Sequence, residues 1–132
     1  MSDSTVGFHK LTPMIPAGSD IRAALDFYER TLGFSVVYKS EDLGTIILMR
    51  GQVDILLTNF DDPHTASQTS LRIQVSEVDA LHREYQSHAI PPFEQLGGAG
   101  LGGLRDTPWG TREFAIRDLA GVCITFYENR SA

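Results

Sequence analysis

Few residues in this sequence could do chemistry, and they are widely spaced. The four histidines are His9, His64, His82 and His88. No two of them stand at the i, i+4 spacing that sets a pair of imidazoles around a metal on one helical face. Cys123 is the one cysteine, which excludes an internal disulfide and a cysteine-based zinc site. It has no histidine neighbour to act as a base, so a small packed residue is the alternative to a nucleophile. Asp61-Asp62-Pro63-His64 collects two carboxylates and an imidazole, but its turn-forming composition reads as a solvated loop. The glycine-rich run Gln95–Gly103 lacks the Gly-Lys-Ser/Thr ending of a phosphate-binding loop and reads as a lid or rim. Trp109 is the sole tryptophan and follows Pro108, where no alternation requires a large core residue. A tryptophan in a loop offers rigid stacking area to a planar ligand; capping the core or a subunit contact is the alternative. These residue types assign no catalytic group.

The elements that would position them follow from periodicity. Leu11–Ile15 is a short strand interrupted by Pro13 and closed by Pro16. Ser19 is placed to cap a helix whose apolar stripe is Ile21, Ala24, Leu25, Tyr28 and Leu32, with Gly33 as its stop. Phe34–Lys39, Thr45–Met49 and Val53–Leu57 have strand character, the last two joined through Arg50-Gly51-Gln52. Asn59–Thr69 reads as a surface linker. Ser70–Val75 alternates as a strand, and Ser76 can cap a second helix with the stripe Val78, Leu81 and Tyr85. Ala89–Glu94 is extended because of Pro91-Pro92. The final stretch alternates twice around Asp118-Leu119-Ala120-Gly121, which is a hairpin with Cys123, Thr125 and Tyr127 on one face.

Strand, helix and three strands thus occur twice. DIRAALDFYERTLGFSVVY parallels EVDALHREYQSHAIPPFE, and TIILMRGQVDILLTN parallels TREFAIRDLAGVCITFYEN. The expected fold is α+β: two βαβββ modules forming one curved mixed sheet with a concave cleft. The 132 residues make one domain, with module one at about 8–60, a linker at 61–69 and module two at about 70–128. A net charge of −6 argues against a nucleic-acid surface. No apolar run is long enough to span a bilayer, and the simplest location is the cytoplasm.

Three segments carry a family resemblance: LDFYERTLGF, SLRIQVSEVDALHREY and GTREFAIRDLAGVCITF. They resemble the vicinal-oxygen-chelate superfamily of glyoxalases, extradiol dioxygenases and bleomycin-resistance proteins, and look closest to the bleomycin-resistance branch. In superfamily enzymes, four strand positions bind a divalent ion. The resemblance puts them here at Thr12 (or Pro13), Ile55, Ser70 and Thr125, with Asp54 adjacent to Ile55. Hydroxyls without stronger donors are poor ligands for such metals, so no metal and no other cofactor is expected. The resemblance also implies a homodimer with clefts near its interface. A small-molecule ligand would contact Trp109, Arg72, Glu113, Met14, Leu43, Cys123 and Thr125. Leu43 and Arg72 stand where relatives carry aromatics. An unpaired Arg72 would favour an anionic ligand over cationic bleomycin, and pairing with Glu113 would weaken that preference. The implied function is drug or metabolite sequestration. The alternatives are a metal-dependent lyase or dioxygenase of the same superfamily, or a dimer with no ligand.

Overall fold

The computed structural model describes residues 5–92 and 99–130. Module one is β1 (Met14–Pro16), α1 (Ile21–Asp26) continued by a π-helical turn over Phe27–Thr31, β2 (Ser35–Lys39), β3 (Thr45–Arg50) and β4 (Val53–Thr58). The linker contains a short helix, α2 (Pro63–Ser67). Module two is β5 (Ser70–Gln74), α3 (Val78–Gln86), β6 (Gly100–Leu101), β7 (Arg105–Asp106), β8 (Thr111–Arg117) and β9 (Cys123–Asn129). Both modules wind alike, since the first strand of each lies parallel to the last: β1 to β4, and β5 to β9. The other pairs are antiparallel. The strand orders are β1-β4-β3-β2 and β5-β9-β8-β6, with β7 also on β8, so the curved surface is built from two mixed sheets, one per module.

Alternation puts Ile46, Leu48, Ile55 and Leu57 under the first helix, and Ile73, Phe114, Ile116, Ile124 and Phe126 under α3. These two apolar layers belong to one core. The helix expected from the sequence is present, but its C-terminal part takes i→i+5 bonding, with Leu32 N–H donating to Phe27 C=O at 3.0 Å. The extra residue in that turn brings Phe27 into the core beside Tyr28 and Leu32, which a straight 3.6-residue stripe did not include. Gly33 follows at φ 84°, a conformation that suits glycine at a helix end.

Local details differ from expectation where a neighbour intervenes. Asp20, not Ser19, caps α1, its carboxylate accepting from the N–H groups of Arg22 and Ala23. Ser76 does not cap α3 either. Glu77 occupies the cap position at φ 59° without a side-chain bond, and the carboxylate of Glu128 in β9 accepts from the N–H groups of Glu77 and Val78. Of the extended stretch expected at Ala89–Glu94, Pro92 makes one parallel bridge to Leu101. Gly100–Leu101, the tail of the glycine-rich run, pairs with β8, and residues 93–98 lie outside the described residues.

Each helix sends a tyrosine into the other module. Tyr28 donates its O–H to Asp118 Oδ2 at 2.6 Å, in the β8–β9 turn. Tyr85 donates to Leu32 C=O at 2.8 Å, and burial pushes its phenol up to about 12. Arg50, at the tip of the β3–β4 hairpin, forks onto Glu84 of α3 with two contacts of 2.9 Å. The modules are therefore joined by apolar packing and by polar ties that include these three and the His88 Nδ1 contact to Thr31 C=O at 2.7 Å.

Candidate ligand-binding face

In module two, the residues between the core positions form a second, open face. Arg72 of β5 stands beside Thr125 of β9, which stands beside Ala115 of β8. The next row is Gln74, Tyr127, Glu113 and Arg105, crossing four strands. Cys123 sits beside Ser70 one row further along. Thus Arg72, Glu113, Cys123 and Thr125 are brought together as expected from alternation.

Glu113 is the pivot of this face. It is only 3% exposed, and its carboxylate accepts from Arg72 Nη2 at 3.0 Å and from the Thr111 hydroxyl at 2.7 Å. Arg105 Nη2 approaches the other oxygen at 3.6 Å. Arg72 also lies over the Tyr127 ring, 4.5 Å from its centroid, and Arg105 over Trp109 at 5.8 Å. The two guanidiniums are thus each seated on an aromatic ring and turned toward one buried carboxylate. Arg105 and Tyr127 were not singled out in the sequence. Tyr127 shares the alternation of Cys123 and Thr125, a signal that was there to read. Arg105 follows a glycine-rich loop, and only the pairing of β7 with β8 places it.

Burial pushes the Glu113 carboxyl up, but the hydrogen bonds from Arg72 and Thr111 and the charges of Arg72 and Arg105 outweigh it and hold the group below the usual range. Between that lowered value and the ordinary carboxylate range of about 4 to 4.5, the unfolded chain holds more protons than the folded one. Glu113 therefore stabilises the fold above that range and loses its contribution as pH falls through the folded value. Glu113→Gln is expected to flatten the acid limb of a stability-versus-pH curve measured by urea unfolding. A limb with unchanged slope would refute this assignment.

Module one also has an open face. Met14, Leu56, Ile47 and Tyr38 stand side by side across its four strands. Met14 is 66% exposed and Tyr38 51%. Asp54, not Ile55, takes the open-face position of β4, whereas Ile55 is buried in the core. The Asp54 carboxylate is held by Lys10 Nζ at 2.7 Å and the Thr12 hydroxyl at 2.9 Å. The donors at the positions of a superfamily metal are thus one carboxylate already bonded to an ammonium, with the hydroxyls of Thr12, Ser70 and Thr125. That set does not fit a divalent metal. Leu43, at φ 58° in the β2–β3 turn, is partly buried and packs against the core.

The modules meet at a gap between β4 and the edge strand β5. A cavity of about 540 Å³ there is lined by Lys10, Asp54, Ser70, Arg72 and Gln74, so both open faces border it. On the helical side, a crevice of about 680 Å³ opens between the β3–β4 hairpin and α3, with Arg50 and Glu84 on its wall.

Residues 16–126 match the Glyoxalase/Bleomycin resistance protein/Dioxygenase superfamily. The chain belongs to that superfamily. Its fold is similar to the bleomycin-binding protein of bleomycin-producing Streptomyces verticillus complexed with copper(II)-bleomycin, with a TM-score of 0.83 and 28% identity over 97% of this chain and 100% of that one. It is also similar to a bleomycin resistance determinant encoded on transposon Tn5, with a TM-score of 0.81 and 25% identity over 94% of this chain and 100% of that one. A third similar structure is a bleomycin-binding protein complexed with bleomycin, with a TM-score of 0.79 and 26% identity over 93% of this chain and 100% of that one. No curated protein sequence matches the chain. Among the described residues, no helix is long and apolar enough to cross a membrane. Membership of this superfamily determines the frame; what the frame does depends on the side chains of the open faces.

Proposed function

We propose that this chain is a metal-independent small-molecule-binding protein of the bleomycin-resistance type, sequestering its ligand in a cleft at the interface of a homodimer. The observation that carries the reading is the module-two face, where Arg105–Trp109 and Arg72–Tyr127 form two aromatic platforms around buried Glu113. Such platforms suit capture of a flat molecule, and capture requires slow release but no bond-making group. Cys123 faces the same side, with Ser70 beside it on β5. The likeness to bleomycin-binding and bleomycin-resistance proteins at 25–28% identity supports the same reading.

The dimer is supported by what module one leaves uncovered. The exposed apolar row from Met14 to Tyr38, together with Phe8 at 99% and Leu11 at 83% exposure, is a surface that a second copy would bury. Met14 then becomes a cleft residue contributed by the opposite module. Light scattering at micromolar concentration is expected to give twice the chain mass. Elemental analysis of protein purified without chelator is expected to find no transition metal at stoichiometric level. A monomer mass would remove the interface cleft, and one metal ion per chain would replace the binder with a metalloenzyme of the same frame.

A further inference from the structure

We infer that the ligand of this face is a planar organic anion, such as a fused-ring aromatic carboxylate; the inference rests on the binding reading above and specifies its ligand. One carboxylate and two guanidiniums meet at Glu113, so the cluster carries one surplus positive charge. Their depths differ as much as their signs. The Glu113 side chain is 4% exposed, whereas that of Arg72 is 47% and that of Arg105 is 65% exposed. The negative charge is therefore covered, and an approaching molecule meets the two cations. Glu113 also accepts from the Thr111 hydroxyl, which further occupies its oxygens.

The geometry favours a flat acid in particular. Trp109 is 60% exposed and lies beside the Arg105 guanidinium, so a ring stacked on the indole would bring its acid group within reach of a fork of N–H donors. Arg72 is the second donor fork, held over Tyr127. The Asp54 carboxylate across the inter-module gap does not compensate, because it is paired with Lys10 at 2.7 Å. Asp106 and Asp79 are engaged by Arg112 on the helical side of β8. Glu113 does pair with Arg72, which alone would weaken the preference for an anion, but Arg105 restores the excess positive charge.

The test compares two probes of matched shape and opposite charge, 9-anthracenecarboxylate and 9-(aminomethyl)anthracene, by isothermal titration at fixed ionic strength. The carboxylate is expected to bind at least about tenfold more tightly. Arg72→Gln and Arg105→Gln are each expected to weaken the carboxylate about tenfold, with Arg105→Lys recovering part of the loss, and to leave the amine unchanged or tighter. Melting temperatures of the variants confirm that each is folded. Tighter binding of the amine would overturn the charge inference while leaving a small-molecule binder. Failure of both probes to bind at millimolar concentration would overturn it as well, and a wider panel without a hit would remove the binding reading itself.

Discussion

Asp118→Ala is expected to destabilise the protein by about 3–5 kcal/mol, read as a lower urea midpoint at unchanged slope. The carboxylate is 2% exposed and satisfies four donors at once. Oδ1 accepts from the N–H groups of Ala120, Gly121 and Val122 at 3.0, 2.9 and 2.8 Å, which shapes the β8–β9 turn where Gly121 sits at φ 106°. Oδ2 accepts from Tyr28 at 2.6 Å. Alanine strands the N–H groups of Ala120 and Val122 and the Tyr28 hydroxyl, while Gly121 N–H keeps its 3.2 Å bond to the Asp118 C=O. A loss below about 1 kcal/mol would show that water replaces the carboxylate easily, and would remove Asp118 as a structural anchor. Asp118→Asn retains an acceptor at Oδ1 and should cost less. Burial pushes the Asp118 carboxyl up despite its hydrogen bonds, so its titration favours the fold at low pH and this contribution is lost as pH rises through the folded value. The asparagine variant is accordingly expected to gain on the parent as pH rises from about 4 toward neutrality.

Trp109→Ala is expected to weaken binding of a planar aromatic ligand by about 10- to 100-fold, the effect of losing one exposed stacking platform. Trp109 is the only tryptophan, so its emission reports the site without interference, and titration of the parent should quench it. Removing the indole also frees the Arg105 guanidinium, which its ring now supports at 5.8 Å. The variant should remain as stable as the parent, since Trp109 is 60% exposed. Unchanged affinity in Trp109→Ala would exclude the indole from the site and leave Arg72 and Tyr127 as its only platform.

The repeated fold was legible because alternation and helical periodicity are local signals. The parallel first-to-last pairings, in contrast, are seen only in the structure. The loop position and exposure of Trp109 were legible, because a tryptophan outside any alternation has no core position to fill. What the sequence hid was set by partners distant in the chain. Glu128 caps a helix fifty residues before it, so the capping signal at Ser76 pointed to the wrong residue. The π-helical turn that buries Phe27 is a one-residue shift that a fixed period cannot show. Register decided the site in the same way: moving the open-face position from Ile55 to Asp54 exchanges an inert side chain for a charged one, yet Lys10 then neutralises it. Arg105 was hidden most deeply, because a two-residue strand after a glycine-rich run carries no periodicity.

The exchanged tyrosines also bear on how the molecule comes apart. Tyr28 belongs to the first repeat by sequence but completes the last turn of the second, and Tyr85 closes a helix end in the first. Neither repeat, cut out alone, would satisfy its own buried groups. A duplicated sequence built this way loses the independence of its halves, so heating should produce one sharp transition and no half-folded species.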